Sequence, residues 1–237
     1  MKTRARLALL AIVLVLGGCS GLPPVYSPLG SQTYRVKQGD TLYAIAFRYG
    51  LDYKSVAQLN GIAYPYVIYP NQVIRLSGSA RQPEKDSGPV VAKPAGRVVK
   101  PAADTSSLPA QVGSWRWPLE GRVLQGFSLK NPINKGIDIA GKRGDKVVAA
   151  ADGVVVYAGG NLRGYGKLVI IKHSDNYLSA YGNNRSLLVK EGDAVSAGKT
   201  IARVGSSASD EEMLHFEIRR DGKPEDPMKY LPPSKLP

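Results

Sequence analysis

Hydrophobic and polar positions follow readable periods in two stretches of the chain and none elsewhere. From Tyr34, "YRVK" alternates as a strand with two unlike faces does. After the Gly39-Asp40 turn, Leu42, Ile45, Ala46 and Tyr49 recur at helical spacing. Asp40 or Thr41 is the N-cap and Gly50 the stop. A second short helix is predicted over 53–59, with Val56 and Leu59 inward and Asn60-Gly61 ending it. "NQVIRL" then returns as a strand. Residues 34–76 therefore read as one small βααβ domain, close to the size below which a fold without disulfides is marginal.

The second periodic stretch, 114–237, is built of short Val/Ile-rich runs: "KVVAA", "GVVVYAGG", "GKLVIIKH", "DAVSAGKTIARVG" and "LHFEIRR". Gly and Asp turns separate them at roughly ten-residue spacing, the mark of an antiparallel β-sandwich or partly closed barrel. In "DEEMLHFEIRR", Leu214, Phe216 and Ile218 alternate with Met213, His215 and Glu217. His215 therefore shares a strand face with Met213 and Glu217. The fold class is mainly β, with flexible linkers.

Three stretches lack a globular period. "MKTRAR" followed by "LALLAIVLVLG" is a charged start and an apolar run too short to span a bilayer, so residues 1–18 read as a signal peptide. Residues 19–33 read as a tether and 77–113, rich in Pro, Ala and charge, as a disordered linker.

Charge and cysteine usage narrow the partners. The chain carries a formal charge of +13. Removing residues 1–18 takes three basic and no acidic side chains, which leaves about +10. An exported chain this basic meets anionic wall polymer, anionic lipid or an acidic protein face, and not nucleic acid. Cys19 is the single cysteine, so no intramolecular disulfide forms. "LGGC" resembles a bacterial lipobox, which implies a lipidated Cys19 (a palmitate-type acyl anchor). By the same resemblance Ser20, rather than Asp, implies an outer-membrane lipoprotein facing the periplasm.

"YRVKQGDTLYAIAFRYGLDYKSVAQLNGI" and "YPNQVIRL" resemble the LysM family nearly end to end, with Asn71 where a Gly is common. The resemblance implies binding to peptidoglycan. Its glycan-binding loops map to Gly39, Asp40, Thr41 and Leu42 and to Asn60, Gly61 and Ile62. Backbone and small polar groups there would bond acetamides, with apolar side chains beneath the sugar.

"WPLEGRV", "NKGIDIAG", "GYGKLVIIKH", "LSAYGNN", "VKEGDAVSAGKTIARVG", "LHFEIR" and "DPMKYL" stand in the order of the lysostaphin/LytM-type zinc endopeptidases, of the duplicated hybrid motif fold. In that family three ligands hold zinc with an open position, and further histidines handle protons. Carried onto this chain, the first ligand position is Asn134 and the carboxylate ligand is Asp138. The Y-x-H histidine is Asn183, and the H-x-H pair is Met213 and His215. The family uses four histidines; this chain has 2, and His173 stands at a non-ligand position. An Asn carbonyl is a poor zinc ligand, and Asn and Met shuttle no protons near neutral pH. The resemblance therefore implies no zinc cofactor and no peptidase activity.

Zinc-less relatives of the EnvC/NlpD type activate N-acetylmuramoyl-L-alanine amidases. The layout here resembles theirs, which implies a periplasmic amidase as partner in wall remodelling and daughter-cell separation. The partner-binding groove is expected at Asn134, Lys135, Asp138, Asn183, Met213 and His215. The alternatives are a structural tether between outer membrane and wall, and a weak zinc endopeptidase.

Overall fold

The computed structural model describes residues 32–78, 105–106, 108–206, 208 and 211–233. The leader, Cys19 and most of the tether and linker lie outside them.

The first module has the expected βααβ order. Strand β1 (Thr33–Arg35) pairs antiparallel with β2 (Val73–Arg75), with Tyr34 opposite Ile74. Helix α1 (Leu42–Tyr49) starts at Thr41, whose hydroxyl accepts from the Ala44 N–H at 3.0 Å. It ends at Gly50, whose φ of 67° is the left-handed stop that glycine adopts without strain. Helix α2 (Tyr53–Leu59) is capped by Asp52, which accepts from the Ser55 N–H at 2.9 Å.

The second module is a curled antiparallel sheet of β3 (Val123–Gln125), β4 (Ile137–Ala140), β5 (Lys146–Val148), β6 (Gly153–Gly159), β7 (Lys167–Lys172), β8 (Tyr177–Leu187), β9 (Ala194–Val195), β10 (Thr200–Val204), β11 (Met213–Arg220) and β12 (Lys223–Glu225). The main path runs β3-β4-β11-β8-β7-β6-β9, with β10 bridging β5 and β8. The inner face carries Leu214, Phe216 and Ile218 together with Val169, Ile171 and Tyr181, all buried.

The outer face of this sheet is also covered. Leu168 and Ile170 of β7, alternating with Val169 and Ile171, join Val156, Leu178 and Ala180 in a second core, shared with Leu42, Ile45, Phe47 and Tyr53 of the first module. The run "LVII" is continuously apolar because both faces of its strand are buried. Polar contacts close the seam: Arg48 Nη2 donates to the Asn161 carbonyl at 2.8 Å, and Lys54 reaches Asp175 at 3.4 Å. The end of the expected linker is drawn in as well. Thr105 is buried, and its N–H donates to the Tyr64 hydroxyl at 3.2 Å.

Gly222, in the β11–β12 turn, marks a close backbone approach of the two modules. Its φ is +78°, and a Cβ there would lie 2.3 Å from the Leu51 backbone. Gly222→Ala adds about 1 kcal/mol of left-handed strain to this clash. It is expected to unseat the first module, raising the maximum dimension in small-angle scattering while far-UV circular dichroism is retained. An unchanged scattering profile would refute the docking.

Candidate functional site

The antiparallel register of β4 on β11 places Asp138 directly opposite His215, and β8 places Gly182 on the other side of His215. Gly136 allows this approach, since a Cβ there would lie 2.1 Å from the Phe216 carbonyl oxygen. Asn134, just before β4, turns back onto the pair.

These side chains form one continuous chain of hydrogen bonds. Asn134 Nδ2 donates to Asp138 Oδ2 at 2.9 Å. Asp138 Oδ1 lies 2.7 Å from His215 Nδ1, and His215 Nε2 lies 3.1 Å from Glu217 Oε1. Glu217 Oε1 also accepts from the Tyr165 hydroxyl at 2.8 Å, while Glu217 Oε2 takes Arg219 at 2.7 Å. Arg219 Nη1 donates to the Phe47 carbonyl in the last turn of α1, and its guanidinium lies 3.4 Å from the Phe47 ring centroid. The Phe47 carbonyl also accepts from the Gly50 N–H at 3.2 Å, and a cation at a helix C-terminus interacts favourably with the helix dipole.

Charge states follow from the partners. Both imidazole nitrogens of His215 face carboxylate oxygens, which only accept, so the ring carries both protons. Burial alone would lower the His215 pKa, but the hydrogen bonds to Asp138 and Glu217 outweigh it and raise it to about 9. Burial would raise the Glu217 carboxyl, but the Arg219 guanidinium and His215 hold it down to about 2.

Of the positions carried over as zinc ligands, Asp138 and His215 keep ligating side chains and Asn134 presents an amide; among the described residues no group of three or more His, Cys, Asp or Glu stands together where it could hold a metal ion. Both Asp138 oxygens already accept hydrogen bonds.

Other expected residues have different work. Asn183 is 1% exposed and leaves the groove set. Its φ is 65°, its amide lies 3.1 to 3.3 Å from the Gly205, Glu211 and Met213 carbonyls, and its Oδ1 accepts from Ala208 N–H at 2.7 Å. Asn183 therefore clamps the segment leading into β11. Asn134 and Asp138 are buried too, leaving Lys135 exposed and Met213 and His215 partly exposed. His173 is a core histidine between the Asp152 carbonyl and the Ser179 hydroxyl; burial lowers its pKa to about 4.

In the first module, three of the expected glycan-binding side chains are occupied by the fold. Asp40 accepts from Tyr34 and Lys37, Leu42 is 1% exposed, and Asn60 ties Val56 to Arg75. Gly39 and Gly61 are exposed, and Thr41 and Ile62 partly so. Conversely, Leu129 and Ile133 are 59% and 64% exposed on the loop that leads through Asn134 into β4. They lie outside any period, and only solvent exposure identifies them.

Residues 34–77 match the LysM domain model and residues 132–227 the model of peptidase family M23. These matches and the fold define a LysM module joined to an M23-type β domain. "Lipoprotein NlpD/LppB homolog" of Pseudomonas aeruginosa is 47% identical over 235 residues, covering 87% of this chain and 79% of the relative. "Murein hydrolase activator NlpD" of Escherichia coli is 38% identical over 264 residues, covering 86% and 70%. "Outer membrane antigenic lipoprotein B" of Histophilus somni is 40% identical over 232 residues, covering 84% and 68%. The chain belongs to the NlpD/LppB family of lipoproteins.

Two measurements test the buried chain. Arg219 and Glu217 are 1% and 0% exposed, so Arg219→Ala takes the nearest counter-charge from a buried carboxylate, leaving it only His215 and Tyr165, and is expected to cost about 3 kcal/mol in urea unfolding. The double variant Glu217→Gln/Arg219→Met is expected to cost less than Arg219→Ala, and equal losses would contradict the pairing. His215 has a folded pKa raised above its usual 6.5, so its stabilisation is full below pH 6.5 and is lost as pH rises to about 9. The difference in Tm between the native chain and His215→Gln should therefore shrink across that interval. A difference that stays constant from pH 6 to pH 9.5 would refute the imidazolium.

Proposed function

We propose that this chain is a non-enzymatic lipoprotein, anchored in the outer membrane through Cys19 and facing the periplasm. It binds peptidoglycan through the LysM module and activates a periplasmic N-acetylmuramoyl-L-alanine amidase through the face around Met213 and His215. The activator name of the Escherichia coli relative supports the general reading. The observation that carries the finer one is the state of the remnant site. Asp138 and His215 spend their polar atoms on each other and on Asn134 and Glu217, while Leu129 and Ile133 stand exposed on the loop that carries Asn134. A surface without free ligand atoms but with unpartnered apolar side chains is suited to protein contact.

An activator must bind the open form of its target more tightly than the closed form. A segment that occludes the amidase site would supply that difference if Leu129 and Ile133 hold it. No zinc is assigned to this domain. The exposed Gly39 and Gly61 loops remain the proposed glycan contacts.

Purified full-length chain, mixed with each periplasmic amidase of the host, is expected to stimulate digestion of purified sacculi. Leu129→Asp/Ile133→Asp is expected to lower that stimulation about tenfold or more, the loss of roughly one hot-spot contact. With zinc and no amidase, release of cross-link peptides should stay at the level of a metal-stripped control. If no amidase responds, the tether reading stands instead.

A further inference from the structure

Away from the remnant site, the second module holds a cavity of about 550 Å³ whose lining includes Trp115, Asn176, Tyr177, Arg220, Lys229 and Tyr230. Tyr177 pairs with Arg220 at the end of the β8–β11 ladder. That pair is five residues along β11 from His215, about 17 Å at the strand rise of ~3.4 Å per residue. The cavity is thus separate from the Asp138–His215 face.

Its wall is aromatic and fixed. Trp115, Tyr177 and Tyr230 meet edge to face, with centroids 5.8 to 6.2 Å apart, and all three remain partly exposed. Trp115 also packs on the buried His173 at 4.9 Å. Tyr230 follows the short 3-10 turn Pro227–Lys229, which Asp226 caps. The rim is cationic. Arg220 and Lys229 are exposed, and neither forms an ion pair among the described residues. Arg220 lies 5.8 Å from the Tyr177 ring. Glu225 of β12 is the carboxylate that acts on Tyr230 from this side.

We propose that this cavity is a second wall-binding site, and that its ligand is a carboxylate-bearing sugar–peptide of the cell wall. The apolar C–H face of a sugar ring matches an aromatic wall. The Asn176 amide is placed to bond a hydroxyl or acetamide. The Arg220 fork recognises a carboxylate bidentately, with Lys229 adding a second positive charge. The volume lies within the range of small-ligand sites. The LysM module would hold the neutral glycan, while this cavity reads the acidic stem.

Isothermal titration of the full-length chain tests the assignment with two probes. One is N-acetylglucosaminyl-N-acetylmuramyl-tetrapeptide, and the other is neutral chitotetraose. Arg220→Gln/Lys229→Gln is expected to weaken the muropeptide about tenfold, the loss of one charge-assisted contact, and to leave chitotetraose unchanged. Both side chains are exposed, and an unchanged Tm will show that the variant folds. Trp115→Phe is expected to weaken the muropeptide as well. Equal muropeptide affinity in native and double-variant chains, or no muropeptide binding at all, overturns the site. Failure of chitotetraose alone counts against the LysM reading and leaves this site standing.

Discussion

Glu217 and Arg219, both fully buried, meet at the seam between the two modules, and each has every charge-bearing edge engaged. Burying such a pair is costly unless its remaining hydrogen-bonding capacity is met. Here Tyr165 and His215 complete Glu217, and the Phe47 carbonyl and the Tyr165 hydroxyl complete Arg219. The carbonyl comes from α1 and the rest from the β domain. The pair is therefore satisfied only when the LysM module is seated, which makes the docking and the charge state of the site one physical problem.

The state of the Asp138–His215 pair follows from that arrangement. His215 stays protonated because Asp138 and the ionised Glu217 flank it, and Glu217 stays ionised because Arg219 is beside it. Asp138 then bonds an imidazolium on one oxygen and the Asn134 amide on the other. In this setting Asp138 and His215 act as links in an electrostatic chain. Asn134 is satisfied in its place, since its amide donates to Asp138 while its carbonyl accepts the Gly136 N–H.

Local chemistry made much of the fold legible. Thr41 and Gly50 set the ends of α1 through contacts within a few residues, and such signals survive without tertiary context. The β4–β11 face was legible because the motif words carry the spacing that brings Asp138 and His215 into register. The structural work of some expected site residues was not legible. Asn183, Asp40 and Asn60 are short polar side chains at bends, where they bond backbone groups that only the folded chain places within reach. Leu129 and Ile133 escaped notice because a loop has no period to read.

The sequence by itself determined the elements, their two-module grouping and the shortage of imidazoles. Those depend on local spacing and on counting. The tertiary structure alone decided what covers each face. Alternation along "MLHFEIRR" distinguishes two faces of a strand but does not say that the polar one is buried. Arg219 finds its partner at Phe47, 172 residues away. A contact of that separation leaves no mark in local periodicity, because the side chain's hydrogen-bonding needs are the same whether water or a helix end meets them.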